Sequence, residues 1–461
     1  MLTIGEIVEV LSGKLIADHG EDDVVVESVE FDTRKVVSGS LFVPLKGARD
    51  GHEFVPQAIE NGAVATLWEA GNANIQPEGI AIIEVADVLQ SLQDLAHYFV
   101  QKIEPRVVGV TGSNGKTTTK DMLDSVLSQS FKTYKTQGNY NNDIGLPYTI
   151  LHMPIDTELL VLEMGMNHKD EIRPLSLIAE PELAAITIIG ESHIEYLGSR
   201  QGIAEAKMEI VVGLAADGEL IIPGNEPLLE PLVEDLAQQV VRFGQQGNED
   251  ISATIVESSK HSVTFTVSVF PGETFMIPIV GDYNVNNALI AIQAGRYFEL
   301  SVDQIKIGLA NLNLTQSRAE WVKAWNGAEI LNDAYNANPT AMSLVLETFS
   351  QIDVNEDGKR IAILADMGEL GEQSQEMHES MLEAIDFDAI HHIVLYGEWM
   401  GYLADKIVTA DTLVPLDYFN KEERSELVAR LEEIIAPNDL VLFKGSNSMQ
   451  LSEIIKEISE K

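Results

Sequence analysis

The stretch VVGVTGSNGKTTTKDM, residues 107–122, constrains the fold more than any other part of the chain. Arg106–Val110 is a short apolar run with the character of a buried strand. Gly112 and Gly115 then permit a tight turn, and a helix is expected from Thr117, with Met122, Leu123, Val126 and Leu127 on one apolar face. A strand that turns sharply into a helix aims several backbone N–H groups at one spot, where the helix N-terminus adds positive potential. That spot suits a phosphate. Lys116 stands where an ammonium reaches a terminal phosphate, and the Thr117 hydroxyl stands where it can hold Mg²⁺. The spacing departs from the commonest phosphate loop. The pattern G-x-x-x-x-G-K-T asks for glycine at Val110, and the nearest glycines are Gly109 and Gly112.

The rest of the chain divides around this loop. At 461 residues it is long enough for about three domains. Residues 1–104 mix short strands such as Gly39–Leu45 with helices such as Pro56–Asn61 and Leu89–Gln101, and Pro105 closes the segment. Residues 105–314 carry the loop, further strands at Glu158–Leu162, Ala184–Ile189 and Glu219–Ile222, and an antiparallel alternation over 251–280 with a turn at Pro271–Gly272. A helix from Asn284 to Phe298 follows. Residues 315–461 alternate strand and helix: Glu329–Leu331, Thr340–Ile352, Arg360–Leu364, Ser374–Ala384, His391–Leu395, Leu440–Phe443 and Ser448–Ile458. The expected class is α/β with three domains: a first small domain, a central mixed sheet bearing the phosphate loop, and a doubly wound C-terminal domain.

Composition removes several functions. Against 73 acidic residues stand only 30 basic ones, a net charge of -43, the opposite of a generic nucleic-acid binder. With no cysteine, disulfides, thiolate metal sites and a cysteine nucleophile are excluded. No apolar run of about 18 residues is present to span a membrane. Glu6 and Glu9 interrupt an N-terminus that lacks the basic start of a signal peptide. A cytoplasmic protein is expected.

TGSNGKTTT resembles the loop of the Mur ligase family, and EMGMNHKDEI resembles that family's EMG-x-NH segment. By residue type alone, Glu163 at the end of LLVLEMG is either a solvated strand-end carboxylate or a metal ligand, and Lys207 in IAEAKMEI is either an exposed helical lysine or a functional one. The resemblance favours function. It implies that Gly112, Ser113, Asn114, Gly115, Lys116, Thr117 and Thr118 cradle ATP. It further implies that Thr117, Glu163, His193 of GESHIEYLGS and a carbamylated Lys207 hold two Mg²⁺ ions. GDYNVNNALIAIQAG resembles G-x-H-N-x-x-N-A-L-A-A, so Asn287 would contact adenine; Tyr283 replaces the usual histidine, and Asn284 is a candidate helix N-cap. Arg318 in TQSRAEW would contact the ATP phosphates. Asp333 would bind ribose, although an Asp after a strand makes an equally good turn residue. By this resemblance Lys116, His193, Lys207 and Arg318 form the catalytic set.

DAYNANP, ADMGELGEQSQEMH and GNYNNDIGLP resemble one branch of the family, whose members join D-alanyl-D-alanine to a UDP-N-acetylmuramoyl tripeptide. Asn139, Asn141, Asn142, Tyr335, Asn336 and Asn338 are then candidate substrate contacts. FDTRKVVSGSLFVPLKGARDGHEFVPQAIENGA resembles the UDP-sugar-binding domain, with Asp32, Thr33, Arg34, Lys46 and His52 as its contacts and Thr33 in place of the usual serine. In LFKGSNSM, Asn447 takes the place of an arginine. The implied reaction is ATP-dependent ligation through an acyl phosphate, by a monomer that binds no nucleic acid and inserts into no membrane. A ligase adding a single amino acid, a plain ATPase or phosphotransferase, and a nucleotide-gated binding protein are the alternatives. The DAYNANP and GELGE segments disfavour the first of these.

Overall fold

Parallel pairing at the centre of the molecule brings the glycine loop and a carboxylate to the same sheet edge. In the computed structural model, which describes residues 1–17, 24–313, 315, 319–410 and 412–460, Arg106–Thr111 lies between Leu159–Glu163 and Leu183–Ile186. Val110 pairs with Glu163 on one side and with Ala185 on the other. All three strands run parallel, so their C-terminal ends meet at one edge, where open α/β sheets bind ligands. The runs are apolar on both faces because both faces are covered by helices.

These strands belong to a nine-stranded mixed sheet. Its parallel part runs from Thr133–Lys135 to Ile251–Ser258, and Val263–Val267 and Thr274–Ile277 add antiparallel strands at the far edge. The turn expected at Pro271–Gly272 joins the last two, with Gly272 at φ +87°. The loop helix, Lys116–Leu127, starts one residue before the expected Thr117. Its apolar face is fully buried, and so are Thr119, Lys120 and Asp121, because the helices Asn284–Tyr297 and Val302–Ala310 also pack on it. The Lys120 ammonium inside this layer donates to the Thr136 carbonyl.

Residues 2–103 contain a five-stranded sheet and a two-stranded one, with the amphipathic helix Val88–Ile103 packed against the central unit. From Glu320 onward the chain forms a six-stranded sheet in the order Glu320–Lys323, Glu329–Asp333, Leu440–Lys444, Arg360–Ala365, His392–Tyr396, Leu416–Phe419. Its first pair is antiparallel and the others are parallel. Here Asp333 pairs with Lys444. Asn284 is not the N-cap of its helix: Tyr283 holds that position, and the Asn284 amide donates to the Val280 carbonyl.

Gly112 shows how tightly the loop is built. Its φ is +151°, and a Cβ there would lie 1.8 Å from Thr187 Oγ1. Gly112→Ala must therefore displace either the loop or the strand beyond it. A loss of about 1–3 kcal/mol is expected in urea unfolding; an unchanged midpoint would mean that the loop has slack.

Candidate active site

The loop opens into two recesses that share Asn114, Gly115 and Asn336. The larger, of about 830 Å³, carries Lys116, Thr117, Glu163 and His193, faced by Tyr335 and Glu369 from the C-terminal unit. The smaller, of about 250 Å³, is lined by Thr118, Ile279, Tyr283, Asn287, Asp333 and Lys444, among others. The larger mixes polar and apolar lining about equally; the smaller is mostly apolar, with a few polar groups at its wall.

Within the loop, Gly115 has φ +79° and abuts Asn287, whose Oδ1 would lie 2.7 Å from a Cβ. Asn287 accepts from Thr119 Oγ1 at 3.1 Å and donates to Asn284 Oδ1 at 3.0 Å, so it buttresses the loop as well as lining the smaller recess. Ser113 is buried, and its backbone N–H donates to the Ile188 carbonyl. The Lys116 ammonium bends back over the turn to the Gly112 carbonyl at 2.8 Å. Thr117 Oγ1 donates to Glu163 Oε2 at 3.0 Å, while the Asn141 amide donates to the other carboxylate oxygen at 2.8 Å. Glu163 is only 3% exposed. A buried carboxylate beside a hydroxyl, at the mouth of a phosphate loop, presents the oxygen donors a hard divalent cation takes.

Lys207, on the helix Arg200–Met208, is 2% exposed, and no ion pair to it occurs among the described residues. Burial, then the neighbouring charge of Lys116, pushes its amine well below the usual lysine range. His193 and Glu369 both adopt left-handed φ, +64° and +61°. They meet across the seam between the central and C-terminal units, with Nδ1 2.5 Å from Oε2. The His193 contact holds the Glu369 carboxyl below its ordinary range.

In the smaller recess, Asp333 and Lys444 are register partners on adjacent strands. Lys444 Nζ lies 2.5 Å from Asp333 Oδ2 and 2.8 Å from the Asn336 carbonyl, and Lys444 is 4% exposed. Burial, then the charge of Asp333, raises the Tyr283 phenol. Neither Lys444 nor Glu369 was singled out by sequence, although both lie inside motifs that were: LFKGSNSM and ADMGELGEQSQEMH. Asn447 lines the larger recess. Arg318 lies outside the described residues.

Several expected substrate contacts are placed elsewhere. His52 is buried, with Nδ1 on Asp50 at 2.7 Å, Nε2 accepting the Glu69 N–H at 3.1 Å, and its ring edge-on to Trp68. Both ring nitrogens are thus engaged by partners within the first unit, which leaves neither free to bond a substrate. Asn142 Oδ1 accepts the Gly145 N–H at 2.8 Å, in the turn that leads into the helix Gly145–Leu151. Asn338, 1% exposed, spends its whole amide on protein partners. Asn139, Asn141, Tyr335 and Asn336 do line the larger recess. In the first unit, Asp32 caps Thr33–Lys35 and chelates the exposed Arg34 guanidinium, Thr33 reaches Gln57, and Lys46 pairs with Glu69. Neighbouring Lys35 donates to Tyr140 of the GNYNND loop at 2.8 Å, joining the first unit to the central one.

Three family models match the chain: the Mur ligase family catalytic domain over residues 25–100, the Mur ligase middle domain over 110–295, and the Mur ligase glutamate ligase domain over 317–447. The chain is 42% identical to the UDP-N-acetylmuramoyl-tripeptide–D-alanyl-D-alanine ligase of Bacillus subtilis, covering 99% of this chain and 98% of that one. The crystal structure of MurF from Acinetobacter baumannii superposes with a TM-score of 0.88 at 29% identity, covering 100% and 99% of the two chains. That of the MurF ligase from Thermotoga maritima in complex with ADP gives 0.82 at 26% identity, covering 95% and 98%.

Lys444→Met removes the cation paired with Asp333 while keeping the side chain's length. A loss of about 1–3 kcal/mol is expected in urea unfolding, since a carboxylate is left in a recess without its partner. An unchanged unfolding midpoint would show that water compensates Asp333 fully.

Proposed function

This chain belongs to the Mur ligase family, and we propose that it joins D-alanyl-D-alanine to the terminal carboxylate of a UDP-N-acetylmuramoyl tripeptide at the expense of ATP. The observation that carries this reading is the pair of joined recesses. One has the size and lining for a nucleoside, the other is larger and carries Lys116, Thr117, Glu163 and His193, and the phosphate loop sits where they meet. We assign residues 1–104 to the UDP-sugar end of the substrate, 105–314 to ATP and 315–461 to closure over both. The chain acts as a monomer in the cytoplasm; no described helix is long and apolar enough to cross a membrane.

ATP enters with its base and ribose in the smaller recess, against Asn287 and Asp333, and its phosphates on the loop from Gly112 to Thr118. A carboxylate oxygen of the tripeptide attacks the γ-phosphorus. The new O–P bond forms as the β–γ bridge breaks, and the electron pair leaves with ADP. The dipeptide amine then attacks the acyl carbon, and phosphate departs carrying the original carboxylate oxygen as the amine loses its proton. Phosphate is a far better leaving group than hydroxide, which is why ATP is used. Lys116, released from the Gly112 carbonyl, meets the charge moving through the phosphoryl group, and Arg318 is assigned the same task. Asn139, Asn141, Tyr335 and Asn336 offer donors and acceptors to the peptide end.

Thr117 and Glu163 would hold a Mg²⁺, with His193 and a carbamylated Lys207 as the further residues of a two-ion site; ions held there would supply positive charge against the phosphates. Carbamylation joins the neutral Lys207 nitrogen to the carbon of CO₂ and releases one proton. Low exposure and a depressed amine favour it.

ADP release should require UDP-N-acetylmuramoyl tripeptide and D-alanyl-D-alanine together. Release with ATP alone would identify an ATPase, and release with a single amino acid in place of the dipeptide a different ligase. Lys207→Ala should lose most activity, and added formate or acetate should restore part of it by filling the space of the carbamate. Full activity in Lys207→Ala without added acid would remove the carbamate from the account.

A further inference from the structure

Asn338, in the C-terminal unit, bonds directly to the phosphate-loop side chain of Asn114. Its Oδ1 accepts the Ala341 N–H at 2.9 Å, which caps the helix Pro339–Gln351. That bond fixes which end of the amide is oxygen, so Nδ2 must face the central unit. There it donates to Asn114 Oδ1 at 3.0 Å and to Ser192 Oγ at 2.7 Å, while Asn114 Nδ2 donates back to Oδ1 at 3.2 Å. Two donated and two accepted bonds exhaust the amide. Ser192 Oγ in turn donates to the Ser113 carbonyl at 3.2 Å, so the chain of bonds ends on the loop backbone. Two residues on, Thr340 donates its N–H and hydroxyl to Glu191 at 3.0 and 2.7 Å, holding the same helix start against the residue beside Ser192.

The placement matters because each recess has one wall from each unit. Asn114, Gly115 and Thr118 supply one side of the smaller recess, and Asp333, Asn336 and Lys444 the other. Nothing in the helix itself calls for an asparagine at this position, since serine or aspartate caps a helix as well. What asparagine adds is an N–H₂ group that serves both loop-side partners at once.

We propose that Asn338 is a positioning residue that couples docking of the C-terminal unit to the geometry of the phosphate loop: the Asn338–Asn114 amide pair aligns the two walls of the ATP recess. The proposal rests on reading the loop as the ATP site. When the units part, Asn114 loses its orientation, so nucleotide binding and closure favour each other.

The test is Asn338→Ser, which keeps the cap acceptor and is too short to reach Asn114, with Asn338→Asp as a second cap-preserving variant that loses the donors. Thermal unfolding, binding of a non-hydrolysable ATP analogue, and kcat and KM for ATP are measured for each variant and for Asn114→Ala and the double variant. Both Asn338 variants should unfold near the wild-type temperature and lose roughly 10–100-fold in kcat/KM for ATP. Asn338→Ser combined with Asn114→Ala should be no worse than the poorer single variant. Wild-type kcat/KM in Asn338→Ser, or losses that multiply in the double variant, would overturn the proposal. Loss of the fold in both Asn338 variants would leave the residue a structural cap alone and overturn it too. Wild-type protein that fails to bind the analogue would defeat the ATP reading itself, whereas wild-type binding with an indistinguishable Asn338→Ser defeats only the coupling.

Discussion

The hydrogen bond from Thr117 to Glu163 depends on strand register, and the remainder of the site is arranged around it. A shift of one residue between Arg106–Thr111 and Leu159–Glu163 would turn the Glu163 side chain to the opposite face of the sheet. The register is held by side chains buried on both faces, and by the Glu163 N–H donating to Thr136 Oγ1 on the chain leaving the next strand. Gly112 then lets the loop pass against Thr187, and Gly115 lets the helix begin against Asn287. The site is therefore a property of the sheet edge, to which the loop contributes one part.

The second constraint is charge. A chain with a net charge of -43 has to receive anionic phosphates and carboxylates. It gathers lysines around the site: Lys116 on the loop, Lys207 near it, and Lys444 across the seam. Each of the three is restrained in a different way. Lys116 is parked on a carbonyl, Lys207 is pushed toward its neutral form by burial, and Lys444 is paired with Asp333. Uniform cationic walls would hold ATP and ADP alike. A cation released from its carbonyl only as the site fills gives selective stabilisation of the moving phosphoryl group.

The sequence was readable where function is local and opaque where it is assembled. The strand, the glycines, Lys116 and Thr117 lie within a dozen residues, and helical or strand periodicity places them without tertiary information. The same holds for the helices Pro339–Gln351, Ser374–Ser380 and Leu451–Ser459, but not for Met400–Thr409 and Arg424–Ile434. The strands Thr133–Lys135, Gln239–Gly244 and Leu416–Phe419 leave little trace in the sequence because they are short or partly exposed, and their apolar pattern is weak. Asn338 and His52 looked like substrate contacts because polar residues in a motif are ordinarily read as facing a ligand. In the fold, Asn338 is consumed by a helix cap and a bridge to Asn114, and His52 by Asp50 and Glu69. The pairs Asp333–Lys444 and His193–Glu369 join positions far apart in the chain, and no spacing rule reveals them.

Ligation through an acyl phosphate makes one demand that no ATPase, phosphotransferase or binding protein shares: an oxygen of the tripeptide carboxylate must end in the phosphate. Turnover of UDP-N-acetylmuramoyl tripeptide labelled with ¹⁸O in its terminal carboxylate, with unlabelled ATP, D-alanyl-D-alanine and water, measures this directly. Mass analysis of the released phosphate should find one labelled oxygen for each peptide bond formed. Unlabelled phosphate, with the label kept in the peptide substrate or lost to water, would contradict the account.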